Sequence, residues 1–386
     1  MLQILEFTAD SLRFVEDFPA QAPADGFVWV FCDRANFQAS LPALQAAAQR
    51  LGGSPMLDLH CKDLANPAHP SHYDFTSVYD LLIFRRLAGE GETGVEPDAP
   101  GGEPNPTDGN GDPADPARMP DLKAFGRIRT RAVGFVAFDR FLISVHPDGC
   151  TTARTFIERF IADARQAVDA SGARSRTPAT PADLVLRMVN TLVDSYLDLR
   201  KALTSQLERW QAQLLRSGKD FQDWHLLLAA RSRLHVLEDL CEEQHDAVQE
   251  WLDSLREQPL TAFGPEPTLA QVTRDQLVAR ARDVVEHIER VAHHARRLEQ
   301  SAETAVQMHF SAQSHRTNAI MRTLTAITAV FLPLNLITGF FGMNFDFLPL
   351  IHSTHGLWLA VGLMAAIATG LLVVFWRKRY LARTGR

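Results

Sequence analysis

The sequence lacks the features of a disulfide-bonded or zinc-ribbon protein. Its 386 residues include four cysteines, which lie far apart and form no CxxC pair. Neither a disulfide framework nor a cysteine zinc site is therefore indicated, and the composition favours a reducing, cytosolic location for the bulk of the chain. The N-terminus has no basic stretch followed by an apolar core, so it is not typical of a signal peptide.

Motifs for nucleotide-driven or hydrolytic chemistry are missing as well. The chain has no P-loop, no dinucleotide-binding fingerprint and no GxSxG. The sequence therefore favours neither an enzyme nor an ATP-driven pump. A nucleic-acid partner is not expected either, because the net charge is −7 and no broad basic face is present. The segment 88–120 alone holds eight acids and one base, so the remainder is close to neutral.

Residues 1–150 are predicted to form a mixed α+β domain. A helix that ends in glycine is predicted over Leu41–Gly53. The segment 88–120 is rich in Gly, Pro, Asp and Glu, and it is predicted to be a disordered insertion because it buries too little apolar surface to become ordered. Apolar runs predict strands at Phe27–Cys32, Val78–Leu87, Ile128–Phe138 and Arg140–Pro147. The last two of these strands are predicted to form a hairpin.

Residues 151–318 have helical periodicity and are predicted to form a helical domain and stalk. The last of these helices begins near Thr268 and meets no Gly or Pro until Pro333. If it continues to Phe341 it has about 75 residues and is on the order of 110 Å long. Such a length is not normal for a globular domain, and it indicates a stalk that runs into a membrane. The preceding helices are predicted near 152–171, 181–215 and 219–257.

Two C-terminal segments, 319–341 and 357–376, are predicted to be transmembrane helices, since about 20 apolar residues cross the hydrocarbon core. Two buried core helices are the alternative. The tail 377–386 holds five basic residues and no acid, whereas the loop 342–356 has no Lys or Arg. By the positive-inside rule both termini are then cytosolic and the loop is exterior.

The first span differs from a lipid anchor because it has a polar stripe along one helical face. Polar groups at this depth usually face a bundle interior or water. The stripe is either a helix–helix packing face or a pore wall, and a pore wall requires a homo-oligomer because one copy cannot enclose a pore. The stripe consists of Asn318, Met321, Thr325, Thr328, Leu332, Asn335 and Gly339.

The first span ends in GFFGMNF, Gly339–Phe345. Mg²⁺ gives up its water shell reluctantly, so a pore mouth can select the hydrated ion through water-mediated contacts. A ring of Asn344 side-chain carbonyls, with the backbone carbonyls of Gly342 and Met343, offers neutral acceptors that bind weakly enough to release the ion. The alternative is a capped helix end followed by a tight turn.

The run PLNLITGFFGMNF, between a long helix and a short loop, resembles the CorA family of magnesium transporters. The resemblance covers the C-terminal third well and the N-terminal domain loosely. It implies a homopentameric, funnel-shaped channel of the inner membrane for Mg²⁺, and also Co²⁺ or Ni²⁺, without a tightly bound cofactor. The implied fold is an α+β cytosolic domain, a long helical stalk and two transmembrane helices. Asn318 resembles the family's polar ring, and an apolar gate is implied at Met321, Leu324 and Leu332.

The same resemblance implies a regulatory metal site between subunits. Asp283, in RDVVEHIERV, is similar to an acid on the family's stalk helix, and Asp63, in CKDLANPAHPSHYDF, is its expected partner. Cytosolic Mg²⁺ bound by the two carboxylates would hold the gate closed, and loss of the ion would leave like charges facing each other. The alternative for each is an ordinary solvated acid.

Departures from the family pattern leave the transported ion open. Leu350 stands where many relatives have an acid, and His352 and His355 lie in the exterior loop, where imidazole suits Zn²⁺, Ni²⁺ or Co²⁺ better than Mg²⁺. A zinc transporter on the same scaffold and a non-conducting, membrane-tethered sensor are the two rival hypotheses. The stalk also carries histidines that are either metal ligands or solvated and packed side chains, namely His287, His293 and His294.

Overall fold

The structure is a computed structural model that describes residues 2–8, 12–89, 123–150, 156–158, 178–216, 224–343 and 354–377. These residues fall into two compact units, Met1–Ala305 and Val306–Arg386. Most of the predicted acidic insertion lies outside the described residues, as do Asn344, the tail after Arg377 and most of the helix predicted near 152–171.

A seven-stranded mixed sheet lies at the centre of the first unit. Its strands are β1 (Leu2–Thr8), β2 (Leu12–Val15), β3 (Gly26–Asp33), β4 (His72–Phe75), β5 (Tyr79–Leu87), β6 (Thr130–Phe138) and β7 (Phe141–His146). The strand order is β2-β1-β3-β7-β6-β5-β4. Neighbouring strands are antiparallel except β3 and β7, which are parallel and pair Val30 with Ile143.

The four strands predicted from apolar runs are confirmed as β3, β5, β6 and β7, with β6 and β7 forming the hairpin. The six residues Phe27–Cys32 are all buried, which explains why β3 is an unbroken apolar run. The strands β1, β2 and β4 were not predicted. The last two have four residues each, which is too short for a strand periodicity to be recognised.

Helices α1 (Arg34–Ala47) and α2 (Asp58–Ala65) cover one face of the sheet. Phe37 of α1 and Leu64 of α2 are buried in one core with Val30 of β3. The helix predicted to begin at Leu41 begins at Arg34 in the structure, and it continues as a π-helix over Ala48–Gly52. It ends at Gly53 as expected, where φ is 86°, a conformation that favours glycine.

The opposite face of the sheet packs against α3 (Pro181–Asp194) and α5 (Trp224–Glu257). Tyr73 pairs with Leu82 across β4 and β5, and its ring stacks on Trp251 of α5 with centroids 6.2 Å apart. Leu81 and Ile83, on either side of Leu82, belong to the core that faces α1 and α2. Because successive residues of a strand point to opposite faces, Leu82 points to the other face, toward α5. The first unit is thus a sheet between two helical layers.

The prediction of one helix over 181–215 is wrong, because the helix is interrupted at Ser195, which separates α3 from α4 (Tyr196–Arg216). The Ser195 hydroxyl donates to the Leu192 carbonyl at 2.6 Å, a local bond that competes with helix continuation. The predicted start is confirmed, since the Thr180 hydroxyl accepts a hydrogen bond from the Asp183 N–H at 3.2 Å.

The predicted long helix is confirmed as α6, which runs from Pro267 to Phe341 and has 75 residues. Its first part lies in the first unit and its last part in the second. Pro333 lies inside it and lacks the N–H that would bond one turn back, an interruption that membrane helices tolerate. The last helix, α7 (Thr354–Arg377), begins slightly before the predicted second span.

Candidate ion-conduction site

The second unit exposes a large apolar surface. Two helices, α6 and the segment His355–Arg377 of α7, are long and apolar enough to cross a membrane, and only 6% of the most apolar window of each is buried. Leu336 is 74% exposed and Trp358 is 75% exposed. Core helices would be mostly buried, so the alternative of two core helices is not supported. Contiguous apolar exposure of this kind marks a surface that meets lipid or other protein copies.

The polar stripe of α6 is exposed along its whole length in the single chain. The buried residue of this span, Ala326, is 3% exposed and lies about 140° around the helix from Met321 at 3.6 residues per turn. The stripe is therefore not the face on which this helix packs within its own chain. A face left open in one chain is available to further copies, as a shared pore wall requires.

The threonines of the stripe already use their hydroxyl protons. Thr325 donates to the Met321 carbonyl at 2.8 Å, and Thr328 donates to the Leu324 carbonyl at 2.9 Å. A hydroxyl has two acceptor lone pairs, so these oxygens can still accept hydrogen bonds from the water shell of a cation. The apolar side chains predicted to form the gate lie before and after these threonines, with Met321 58%, Leu324 57% and Leu332 68% exposed.

The helix α6 closes with a tight turn at Gly342. The Gly342 N–H donates to the Thr338 carbonyl at 2.9 Å, and the Met343 N–H donates to the Phe340 carbonyl at 3.4 Å. A Cβ at position 342 would lie 2.9 Å from the Thr338 oxygen, closer than side chains normally approach. Glycine at this position thus lets the last turn of α6 close without a steric conflict. Asn344 lies outside the described residues, and the selectivity ring stays a prediction.

Asp63, one of the two predicted regulatory acids, lies on α2 beside a histidine. Its Oδ1 is 3.6 Å from Nε2 of His69, and both side chains are about four-fifths buried. The backbone at His69 is fixed by the fully buried Arg85, whose Nη1 donates to the carbonyls of Pro67 at 3.1 Å and His69 at 3.0 Å. The acid is therefore held in a defined setting rather than freely solvated.

Asp283, the other predicted acid, lies on α6 one turn before His287. Its Oδ1 is 3.6 Å from Nε2 of His287, and the other ring nitrogen is 3.5 Å from Oδ1 of Asp194 at the end of α3. Within one chain Asp63 and Asp283 thus contact different histidines. Their predicted pairing runs between subunits and stays a prediction. The histidine at position 69 was missed by the sequence analysis, although it lies six residues after Asp63.

The remaining stalk histidines differ in their surroundings. His294 is packed against α4, with Nε2 3.1 Å from the Thr204 hydroxyl. Burial, and then the charges of Arg200 and Arg297, lower the pKa of His294, so its imidazole is neutral at physiological pH. His293 is exposed. His287 is therefore the stalk histidine that meets two carboxylates.

Helix α5 connects the Asp63 region to the stalk helix. The Ser71 N–H, in the loop after α2, donates to the Glu243 carboxylate at 3.2 Å. The Gln244 amide donates to the Arg85 carbonyl and to the Tyr196 hydroxyl. On its other side α5 forms ion pairs with α6, including those of Arg296. Helix α5 therefore contacts both the loop after α2 and the stalk helix α6.

Comparisons with known proteins give a consistent picture. A family model described as CorA-like Mg²⁺ transporter protein matches residues 118–379. The chain is 26% identical over 199 residues to the cobalt/magnesium transport protein CorA of Thermotoga maritima, covering 51% of this chain and 52% of that protein. It is 34% identical over 101 residues to the magnesium transport protein CorA of Haemophilus influenzae, covering 26% and 32%. The matches thus span about half or less of these relatives.

Solved structures extend the likeness to the whole chain. The CorA magnesium transporter from Methanocaldococcus jannaschii superposes with a TM-score of 0.63 at 16% identity, covering 100% of this chain and 98% of that one. The full-length CmaX protein superposes with a TM-score of 0.58 at 20% identity, covering 98% and 97%. At such low identity the likeness shows a shared fold.

Proposed function

The chain belongs to the CorA-like Mg²⁺ transporter family, and on that premise we propose that it is a channel for divalent cations, with Mg²⁺ as the main substrate and Co²⁺ or Ni²⁺ as further ones. Copies of the chain assemble into a homopentamer in the inner membrane. The α6 helices line the pore, the α7 helices lie outside them, and both termini are cytosolic. The lipid bilayer, further copies of the chain and the divalent ions are its partners.

The observation that supports a pore is the open polar face of α6. Polar and small side chains follow this face, interrupted by Met321 and Leu332 of the predicted gate, and the face lies away from the buried Ala326. Charged and polar groups inside a membrane are costly unless they face water or one another. A ring of α6 helices with this face inward encloses a water-filled pore. The apolar surface of α7 then faces lipid.

Selection of the ion takes place where α6 ends. Asn344, with the backbone carbonyls of Gly342 and Met343, would present neutral oxygen acceptors to a hydrated cation. Neutral acceptors favour an ion that keeps its water, as Mg²⁺ does, and they release it again. No nucleotide is required, since an inside-negative potential supplies about 2.3 kcal/mol per charge per 100 mV.

Regulation by cytosolic Mg²⁺ is the second element of the proposal. Asp283 of one subunit and Asp63 of its neighbour would share an ion that stabilises the closed channel. The ion acts in this way only if it binds the closed state more tightly than the open one. The route from Asp63 through Arg85, Gln244 and α5 to α6 supports such coupling within each subunit.

A zinc-transporting channel is the second candidate. Its support is that both predicted regulatory acids have a histidine neighbour, since imidazole with carboxylate suits Zn²⁺ or Co²⁺ better than Mg²⁺. A curated relative in Pseudomonas aeruginosa, 40% identical over 68 residues, is described only as a divalent cation transporter, CmaX. A non-conducting sensor is the remaining rival.

Ion uptake into proteoliposomes tests the proposal. The full-length protein and an Asn344→Ala variant are compared with Mg²⁺, Co²⁺, Ni²⁺ and Zn²⁺ outside. Thr323→Ala is the matched control, because Thr323 lies on α6 away from the stripe and bonds only its own helix backbone at Ala319. We expect Mg²⁺ uptake by the wild type and the control, and none by Asn344→Ala. Zn²⁺ uptake without Mg²⁺ would favour the second candidate, and the absence of any flux would favour the sensor.

A further inference from the structure

A cluster of three metal-ligating side chains lies where α5 faces α6 in the first unit. His235 and Glu238 lie on α5 and Glu299 lies on α6, and one ligand atom of each is within 4.8 Å of the others. We propose that these residues form a binding site for a transition-metal cation of the Zn²⁺, Co²⁺ or Ni²⁺ type. The site lies within a single chain, and it involves neither the pore nor Asp63 and Asp283.

The spacing of the ligands is that of a chelating pair with a third ligand opposite. Residues three apart on a helix are neighbours on one face, so His235 and Glu238 project to the same side of α5. Helical bundles build metal centres from Glu and His three residues apart, in the order Glu-x-x-His, with a further Glu from a facing helix, and here the order along the helix is reversed. Glu299 provides that further carboxylate from α6.

The donor set favours transition metals over Mg²⁺. One imidazole nitrogen and two carboxylate oxygens suit Zn²⁺, Co²⁺ and Ni²⁺. Mg²⁺ prefers six oxygen ligands in octahedral geometry and seldom gives up its water for imidazole. The site therefore discriminates between the proposed main substrate of the channel and the heavier divalent ions.

The surrounding charges leave a surplus of negative charge for a cation. Arg296 pairs with both Glu238 and Glu242. Arg231 lies 3.4 Å from Glu299 and 3.9 Å from Glu303. Two guanidinium groups thus face five carboxylates, since Asp239 also lies 3.8 Å from His235. A dication neutralises most of the difference.

The arginines do not have to lose all their partners when an ion binds. Each of them contacts one proposed ligand and one further acid. Arg296 keeps Glu242 when Glu238 turns to the ion, and Arg231 keeps Glu303 when Glu299 does so. The exchange replaces two ion pairs by metal bonds without leaving a guanidinium unpaired.

The site is open enough for an ion to enter, and two of its ligands are buried enough to attract the ion strongly. The side chain of His235 is 65% exposed, so an ion reaches the site directly from solvent. The side chains of Glu238 and Glu299 are only 14% and 22% exposed. Partial burial reduces solvent screening and strengthens their attraction for a cation. A bound ion would cross-link α5 to the stalk helix α6.

Metal titration of the full-length protein in detergent tests the site. The wild type is compared with His235→Gln and Glu299→Gln by calorimetric titration with ZnCl₂ in buffer that contains excess Mg²⁺. The matched control is His293→Gln, because His293 is an exposed histidine of α6 outside the cluster. We expect each cluster variant to lose one Zn²⁺ equivalent or to bind it at least about tenfold more weakly, and the control to match the wild type.

Amide hydrogen exchange identifies where the ion binds. In the wild type, Zn²⁺ is expected to slow exchange around His235 and around Glu299 together, and Mg²⁺ at the same concentration is not. Slowing that persists in His235→Gln, or Zn²⁺ binding that is equal in all four proteins, would overturn the proposal. Mg²⁺ uptake by the cluster variants is expected to continue, so the outcome is separate from that of the channel proposal.

Discussion

His287 and Asp283 face each other across one turn of the stalk helix, with 3.6 Å between Nε2 and Oδ1. The other nitrogen of the same ring lies 3.5 Å from Asp194 on α3. The proposed regulatory acid is therefore one of two carboxylates that share a histidine. If Asp283 binds a regulatory cation as proposed, this imidazole lies within reach of the same site.

Replacement of Asp283 is predicted to weaken feedback inhibition by cytosolic Mg²⁺. In Asp283→Asn the carboxylate is lost while the size of the side chain is kept. We expect the internal Mg²⁺ concentration for half-inhibition to rise about tenfold, equivalent to about 1.4 kcal/mol of coupling. The measurement is uptake by proteoliposomes loaded with increasing Mg²⁺. An Asp275→Asn control on the same helix, where Asp275 accepts from Gln271, should leave the inhibition curve unchanged. Equal curves for all three proteins would exclude Asp283 from regulation.

A methyl group at the end of α6 is predicted to impair conduction. In Gly342→Ala the Cβ would meet the Thr338 carbonyl at 2.9 Å, so the last turn has to shift and carries Met343 with it. We expect Mg²⁺ uptake to fall by at least about tenfold, because a filter depends on the position of its carbonyls. Gly362→Ala on α7 is the control, since nothing lies within 4 Å of its added Cβ. Normal uptake by Gly342→Ala would show that the turn tolerates displacement.

Loss of the Gln244 amide is predicted to destabilise the first unit. The side chain is buried and donates to the Arg85 carbonyl and the Tyr196 hydroxyl, so Gln244→Ala leaves both acceptors without this donor. We expect the free energy of unfolding to drop by about 1–3 kcal/mol. Urea denaturation followed by circular dichroism measures it. Gln249→Ala, where an exposed amide of α5 bonds Asp253, should change stability by less than about 0.5 kcal/mol. Similar values for both variants would contradict the prediction.

The stability of the first unit is predicted to depend on the protonation of Asp80. Burial raises the pKa of this carboxyl from 3.8 to about 6, although the hydrogen bond from Tyr73, at 3.0 Å, lowers it. The folded state thus binds the proton more tightly than the unfolded one. The resulting stability is complete below about pH 4 and is lost as the pH rises through about 6.

Asp80→Asn tests this dependence, because the amide keeps an acceptor for the Tyr73 hydroxyl and carries no charge. Relative to the wild type, we expect the variant to gain stability between pH 4 and 7, by up to about 3 kcal/mol at pH 7, given about 1.4 kcal/mol per pKa unit. Thermal unfolding at several pH values measures the difference. A difference that does not vary with pH would mean that Asp80 has an ordinary pKa.

Much of the fold was predictable where a pattern is local. The unbroken apolar run of β3, the glycine at position 53 and the long stretch of α6 without Gly or Pro each depend on neighbouring residues. The strands β2 and β4 were not predictable, because four-residue strands acquire their conformation from the strands they pair with. The break at Ser195 was not predictable either, because a serine inside a helical pattern does not by itself interrupt a helix, and here its hydroxyl bonds the Leu192 carbonyl. Strand β1 likewise depends on pairing with β3.

The candidate site divides in the same way. The sequence by itself determined the polar stripe, the glycine that ends α6 and the two apolar spans, because helical periodicity and span length follow from residue order alone. Only the tertiary structure decided that the stripe avoids the buried face at Ala326, that Arg85 holds His69 beside Asp63, and that Glu299 meets His235 and Glu238. The contacts of Arg85 and of Glu299 join different elements of the fold, so they depend on how the sheet and helices pack.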